Sequence, residues 1–495
     1  MASSFYLFAI VCALASLHPS IAADSHWNQF RGSTANSVVT EQRLPEAFNQ
    51  DLDARWKTRL PVGHSSPCIW KDRIFITGFD EPTMQLRMFC LDRDNGAILW
   101  TISRPLRELQ HYAHKASSPS VPTPCTDGRR VAFLFGDYGL VVADFDGNEL
   151  WEKPFVPYGN DSGMGYGASP ILADGKLLVN CDGGIRPGLL CLDFKTGEEL
   201  WHASRPNTIV SYASPFVWRR GDKTEVLQAG TAQLASYDLA DGNPLWQVNN
   251  LPIFVCPTPT ADASTVYYGA WTTGNVSGAS RIKSLFSEQD EITDEQASNP
   301  DAFFARFDAN QDRKLAPEEL PPSRLRDAFN FGDHDRSGFL EYEEFEPIFE
   351  EADPSDTPGR NVFVAITKDG RGDITDTHVK WELRKNLPYV SSPLLYENRL
   401  YLVKKGGTVS CLNPQTGEAH FERGRLGAYG EYYASPIGVD GKVLIASQPG
   451  TVTIIKASDE LEILDSVDMG EAITASLAMA DSRLYIRTEN YLWAF

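Results

Sequence analysis

The chain repeats itself. Ser66-Pro67, Ser118-Pro119, Ser169-Pro170, Ser214-Pro215, Cys256-Pro257, Ser392-Pro393, Ser435-Pro436 and Ser476-Leu477 each open a unit. The starts fall 52, 51, 45 and 42 residues apart, and later 43 and 41. Within a unit, short stretches such as Arg73-Ile-Phe-Ile-Thr77 and Arg399-Leu-Tyr-Leu-Val403 alternate as strands do. A period of this size with strand patterning specifies propeller blades of four strands.

Several units end on one turn: Asp92 to Gly96 to Trp100, Asp193 to Gly197 to Trp201, Asp238 to Gly242 to Trp246, and Asn413 to Gly417 to Phe421. Asp144 to Gly147 to Trp151 is one residue shorter, and Trp381 closes its unit without the glycine turn. The carboxylate caps backbone N–H groups, glycine takes a conformation other residues resist, and the tryptophan fills the wedge between blades.

Eight starts predict an all-β, eight-bladed propeller. The last unit, Ala475 to Phe495, has room for three strands, and Asp53 to Leu60 supplies a fourth from the other end of the chain. Closure by that N-terminal strand removes the exposed sheet edge. The fifth unit is too long by an acidic segment, so the expected organisation is a signal peptide over 1–23, propeller over 24–284 and 357–495, and an insertion over 285–356 in blade five. That insertion holds 21 acidic and 6 basic residues of a chain whose net charge is −21. The acidity is local, and nothing supplies the basic footprint nucleic acid needs.

Within the insertion, Asp308 to Glu319 and Asp333 to Glu344 resemble EF-hand calcium loops. A cation of calcium's size takes oxygens from loop positions 1, 3, 5, 7 through a backbone carbonyl, 9, and a bidentate carboxylate at 12. The first loop offers Asp308, Asn310, Asp312, the Lys314 carbonyl and Glu319; the second offers Asp333, Asp335, Ser337, the Phe339 carbonyl, Glu341 and Glu344. Position 6 must turn with positive φ, and it is Gly338 in the second loop but Arg313 in the first, so the second should bind more tightly. Short helices are expected over Pro300 to Phe307 and Tyr342 to Glu351, each with a leucine, Leu315 or Leu340, at position 8 of its loop.

Phe5 to Leu17 is apolar but short for a membrane span, and Ser20-Ile21-Ala22-Ala23 offers a small-residue cleavage site, so export is expected. No later stretch is long and apolar enough to cross a bilayer, and a monomer is expected. Seven cysteines remain after cleavage, with no CxxC, CxxCH or adjacent pair. They are expected to be small buried strand residues.

The Asp-x-x-x-Gly-x-x-x-Trp turns, the Ser-Pro starts, the opening Trp27-Asn-Gln-Phe30-Arg31-Gly32 and the stretch Gly370 to Val379 resemble the pyrroloquinoline-quinone-like (PQQ-like) propeller repeats. The likeness covers everything but signal and insertion. It is to secreted propellers of planctomycete-type bacteria, and more distantly to the propeller lipoprotein of the outer-membrane barrel assembly machine. The Arg371-Gly372-Asp373 tripeptide is expected in a hairpin turn.

Quinoprotein dehydrogenases share this repeat. The resemblance implies for them a disulfide between adjacent cysteines over the quinone and a calcium on the axis. This chain has no adjacent cysteines, and its calcium ligands lie in the insertion, so PQQ is not expected. Nor does a Ser/His/Asp order, a paired-carboxylate motif or a phosphate loop stand out. The expected function is therefore a non-catalytic binding or scaffold propeller holding Ca²⁺, the alternative being a PQQ-dependent alcohol or sugar dehydrogenase. Residues just before each start should ring one channel mouth: His64, His111, Tyr112, His114, Lys115, Tyr166, Tyr212, Phe254, Tyr389, Glu431, Tyr432 and Tyr433. An aromatic rim with a few polar groups suits a protein, peptide or glycan ligand.

Overall fold

Strands that alternate apolar and polar residues pair with their sequence neighbours, and here they pair antiparallel into eight successive sheets. The computed structural model describes residues 26–45, 48, 53–106, 117–154, 164–182, 186–206, 208, 211–272, 282, 286, 290–327, 329, 337–346, 349 and 359–495. Blade one is Cys68–Trp70, Arg73–Asp80, Gln85–Asp92 and Ile98–Pro105. Blades two to four follow in the same order, from Cys125–Thr126 to Glu149–Pro154, Ile171–Ala173 to Glu199–Ser204, and Phe216–Arg220 to Pro244–Val248. Blade six runs from Leu394–Tyr396 to Ala419–Arg425 and blade seven from Ile437–Val439 to Ile463–Asp468. The inner strands are buried on both faces, as Arg130–Phe135 is, whereas an outermost strand such as Ile463–Asp468 is largely exposed.

Blade eight closes the ring as expected. Ala478–Ala480, Arg483–Arg487 and Tyr491–Ala494 take Trp56–Arg59 as their fourth strand, with Trp56 opposite Ala494 and Arg59 opposite Tyr491. In blade five the chain leaves the sheet after Thr265–Ala270, its second strand, and returns at Val362–Thr367, its third. The two stems are tied together: Thr272 N donates to Asn361 Oδ1 at 2.8 Å and Asn361 Nδ2 donates to Thr272 O at 3.1 Å.

Two joints recur between blades. On the outside, the tryptophan of one blade docks on the turn of the next, its indole N–H donating to a carbonyl there: Trp56 to Arg93, Trp100 to Phe145, Trp151 to Phe194, Trp201 to Leu239 and Trp381 to Pro414, all at 2.9–3.2 Å. Gly197 and Gly242 lie beneath Trp151 and Trp201 at φ +75°, and a Cβ at either would stand within 2.9 Å of the ring. The turn Asp caps as expected, with Asp193 Oδ1 accepting from Lys195 N and Thr196 N at 2.8 Å. Trp246 differs, donating to Glu225 Oε2 at 2.8 Å within its own blade, because blade five lacks the turn.

On the inside, a hydroxyl at each start accepts the amide of the equivalent residue in the preceding blade. The series runs Ser66 N to Thr123, Thr123 N to Ser169, Ser169 N to Ser214, Ser214 N to Thr258, Thr258 N to Ser392, Ser392 N to Ser435 and Ser435 N to Ser476, all at 2.8–3.2 Å. Two expected starts move accordingly. Thr123-Pro124 and Thr258-Pro259, not Ser118-Pro119 and Cys256-Pro257, hold the repeat position, because a hydroxyl and its register define it, which the Pro pairing alone does not. Gly372–Asp373 is likewise no hairpin turn; it adds a parallel fifth strand to blade four, with Gly372 beside Trp246.

The residues from His26 to Pro45 run across the hub. His26–Trp27 pairs with Ile69 and Trp70 of blade one, Asn28 exchanges hydrogen bonds with Thr126 of blade two, and Gln29 Oε1 accepts from Leu172 N of blade three. Arg31, 1 % exposed, donates to the carbonyls of Thr258, Pro259 and Pro393 and to Ser37 Oγ. Val38 bridges Gly438 of blade seven, and Gln42 Oε1 accepts from Ser482 N of blade eight. Apart from those of Arg31, which reach the beginnings of the innermost strands of blades five and six, these contacts fall on the innermost strands and the hairpins after them. The segment thus plugs the channel on that side, and a ligand is left the side where the innermost strands start.

Each start hydroxyl matches a buried amide. Ser169→Ala should therefore lower the unfolding free energy by about 1–3 kcal/mol, with exposed Ser33→Ala near neutral, in paired urea titrations.

Candidate functional site

On the start side, three groups of polar and aromatic side chains face the channel mouth. The first belongs to blades five to seven. Trp271, the residue at which the chain leaves blade five, sets its ring edge-on to Tyr389 at 5.7 Å, and its backbone N–H donates to Pro388 O at 2.7 Å. Lys405 Nζ lies over both rings, 4.9 Å from Trp271 and 5.7 Å from Tyr389. Burial, then the charges of Cys256 and Glu431, raises the Tyr389 phenol. Burial, then Glu431, Tyr389 and Cys256, pushes Tyr433 up to about 12. Glu431 thus sits among two phenols and a thiol, with its Oε2 out of water and without a partner among the described residues.

The second group joins blades three and four. Arg205 Nε donates to Asp182 Oδ1 at 2.9 Å, both side chains being out of water, and Arg205 also donates to Tyr237 OH at 3.0 Å while Thr208 Oγ1 donates to Asp182. Burial raises Asp182, and the Arg205 charge pulls it back. Gly230 leaves the space this pair needs, for a Cβ there would meet Arg205 Nη2 at 2.1 Å. Such a paired, hydrogen-bonded ion pair is a joint between blades. The third group, between blades eight, one and two, contains Arg487, His64 and Ser120.

The residues of the expected rim fall in different surroundings. Tyr389, Glu431, Tyr433 and His64 stand at the mouth, whereas Tyr166 and Tyr432 are buried and spend their hydroxyls on Asn180 O at 2.7 Å and Ala428 O at 2.8 Å. Tyr212 is half-buried and Phe254 exposed. His111, Tyr112, His114 and Lys115 lie outside the described residues, as does the expected signal over 1–23. Trp271, Lys405, Asp182 and Arg487 were missed. They share one position, the end of each blade's second strand, and the signal was a polar or bulky residue closing an apolar run, as in Leu-Tyr-Ile-Arg487. Among the described residues no helix is long and apolar enough to cross a membrane.

In the insertion, Pro300–Phe307 is helical with Phe303, Phe304 and Phe307 buried, and Tyr342–Phe345 is a short helix. These residues share an apolar cluster with Leu315 and Leu340, which face one another where Lys314–Leu315 pairs antiparallel with Leu340–Glu341. The sixth residues of both loops turn with positive φ, Arg313 at +61° and Gly338 at +86°. Arg313 lies 3.9 Å over the Tyr342 ring, a contact that offsets part of its strain. Asp308 accepts from Asp312 N at 3.2 Å and Arg313 N at 2.8 Å, and Glu319 from Ala309 N at 3.0 Å and Ala316 N at 2.8 Å. Lys314 Nζ pairs with Glu341 Oε1 at 2.9 Å. Among the described residues no three His, Cys, Asp or Glu side chains converge as on a metal. Asp333 and Asp335 lie outside the described residues.

The family model described as outer membrane protein assembly factor BamB matches residues 141–299. Over those residues the chain resembles PQQ-like propeller repeats. The eight-bladed propeller is similar in fold to BamB from Moraxella catarrhalis, with a TM-score of 0.51 at 12 % identity over 89 % of this chain and 100 % of that one. A europium-containing methanol dehydrogenase gives 0.51 at 11 % over 95 % and 98 %, and the computationally designed Ika8 protein 0.51 at 9 % over 89 % and 99 %. No curated protein matches it in sequence. At such identities the likeness is one of fold, and the site has to be argued from its own residues.

Burial, then the Arg487 charge, holds the His64 imidazole down at about 4. A base whose folded value lies below its unfolded one, near 6.5, takes up its proton on unfolding. Stability should therefore fall as pH drops from about 6.5 toward 4, and His64→Gln should remove part of that acid sensitivity. Denaturation midpoints at both ends of the window, in wild type and variant, check this; equal losses would refute it.

Proposed function

We propose that the chain is an exported, calcium-binding propeller that acts as a non-catalytic binding or scaffold protein, offering its start-side mouth to a protein, peptide or glycan. The observation that carries this reading is the plug formed by residues 26–45: it leaves a ligand the side on which Trp271, Tyr389, Tyr433 and Glu431 gather. Aromatic faces beside a carboxylate suit sugar rings or peptide side chains.

Calcium belongs to the EF-hand-like pair inserted over 285–356. Asp308, Asn310, Asp312, the Lys314 carbonyl and Glu319 would hold one ion. Asp333, Asp335, Ser337, the Phe339 carbonyl, Glu341 and Glu344 would hold another. The hard-oxygen donor set, the positive φ at both sixth positions and the short ladder joining the loops support this. Calcium would draw Asp308 and Glu319 toward itself and would compete with Lys314 for Glu341. Because Trp271 roots the insertion against Tyr389, the metal state of the insertion would reach the rim. The alternative, a PQQ-dependent dehydrogenase, draws on the fold likeness to the methanol dehydrogenase, while the lack of adjacent cysteines counts against it.

Calorimetry on wild type, Glu344→Gln and Glu319→Gln tests the calcium assignment. Wild type should bind at about 10⁻⁴–10⁻³ M, the usual range for secreted modules, and each variant should cripple its own loop, Glu344→Gln the tighter one. No heat at millimolar calcium would remove calcium from the proposal. Protein supplied with quinone and calcium should reduce no artificial electron acceptor with alcohols or sugars, and robust reduction would overturn the non-catalytic reading.

A further inference from the structure

Arg31, Arg205 and Arg487 are each 4 % exposed or less, and two of them have a hydrogen bond on at least two of their three nitrogens, Arg205 lacking a partner only at Nη2 among the described residues. Arg31 meets three carbonyls and a hydroxyl, and Arg205 meets Asp182 and Tyr237. Arg487 differs. Its Nη2 donates to Pro61 O, but Nε and Nη1 have no partner among the described residues. The acid whose charge acts on it is Glu471, whose oxygens already accept from Thr488 Oγ1 at 2.7 Å and from Asn490 N and Nδ2 at 3.1 and 3.3 Å. A guanidinium held out of water without a carboxylate bonded to it is costly, and it is usually retained where an anion completes it.

The neighbouring groups share this deficit. His64 Nδ1 and Ser120 Oγ are also out of water with no partner among the described residues, and the two residues are tied by His64 N donating to Ser120 O at 2.9 Å. His64 is half-buried, so the cluster reaches the surface at the start-side mouth. The chain's net charge of −21 repels anions at long range, so any anion bound here is held by local donors.

We propose that Arg487, His64 and Ser120 form a receptor for one anionic group, a carboxylate or comparable oxyanion, at the channel mouth between blades eight, one and two. Two guanidinium N–H groups, the imidazole in its Nδ1–H tautomer and the serine hydroxyl would donate to it, each hydrogen bond strengthened by the anion's charge. This rests on the reading of the start-side mouth as the binding face, and adds that the ligand carries a negative group at the wall of blades eight, one and two.

The test is calorimetry on the full chain at constant ionic strength, with acetate, sulfate and phosphate as probes and chloride as background. Wild type should show saturable binding of at least one probe, and Arg487→Gln should weaken it by about tenfold or more. Acetate alone binding assigns a carboxylate; sulfate or phosphate alone binding assigns a tetrahedral oxyanion. No saturable binding of any probe, or equal affinity in wild type and Arg487→Gln, overturns the proposal. Should Arg487→Gln fail to fold, Ser120→Ala and His64→Ala each have to weaken binding by about threefold or more, and unchanged affinity in both overturns it. Quinone-dependent dye reduction would sink the non-catalytic reading while leaving these affinities unaltered, so the two failures are separable.

Discussion

A propeller depends on the joint between blades, because each sheet buries its faces only against its neighbours and no single core holds the ring. This chain makes that joint twice. Inside, seven hydroxyl-to-amide hydrogen bonds run from Ser66 round to Ser476. Outside, indole N–H groups and ring faces dock on the glycine turn of the following blade. The inner joint sets register, since a hydroxyl must meet one particular amide; the outer joint sets spacing, since Gly197 and Gly242 admit a ring where a Cβ would clash. Trp56, carried on the strand that closes blade eight, makes the same indole contact to blade one, so closure uses the interaction already used elsewhere.

The hub adds a constraint that no blade contains. Arg31, nearly without solvent exposure, is matched by carbonyls of blades five and six, and its neighbours reach blades one to three, seven and eight. Charge-assisted bonds to carbonyls fixed by the sheets hold the segment in place. The consequence is functional as well as structural. With one mouth filled, chemistry at the axis has to be done from the other, where second-strand ends and start residues converge. The insertion leaves blade five at that same level, through Trp271.

Within the insertion, opposing demands meet. Arg313 accepts a backbone conformation better suited to glycine, and its guanidinium over Tyr342 returns some stability. Glu341 is a candidate ligand already paired with Lys314. A carboxylate already paired with an ammonium group is less available to any cation, since the two compete for the same oxygens.

How much of this was legible follows from range. Period, strand alternation, the Asp-x-x-x-Gly turns and the orphan strand near Asp53 are local patterns, and they were enough for eight blades, their closure and the docking role of the tryptophans. The helix over Pro300–Phe307 and its buried phenylalanines were legible for the same reason. What pairs across the ring was not. Thr123 and Thr258 take the repeat position because the hydroxyl there faces an amide 57 or 44 residues away, that of Ser66 or of Ser214, while Ser118-Pro119 and Cys256-Pro257 matched only the local spelling. Gly372–Asp373 joined a neighbouring sheet because an edge was available beside Trp246. Tyr166 and Tyr432 left the rim because buried carbonyls claimed their hydroxyls. The sequence alone determined that the chain is a ring of blades with an acidic insertion; only the tertiary structure decided which mouth is plugged, and that Arg487 is left unmatched beside His64. Those outcomes depend on side chains brought together from opposite ends of the chain, and no local pattern encodes them.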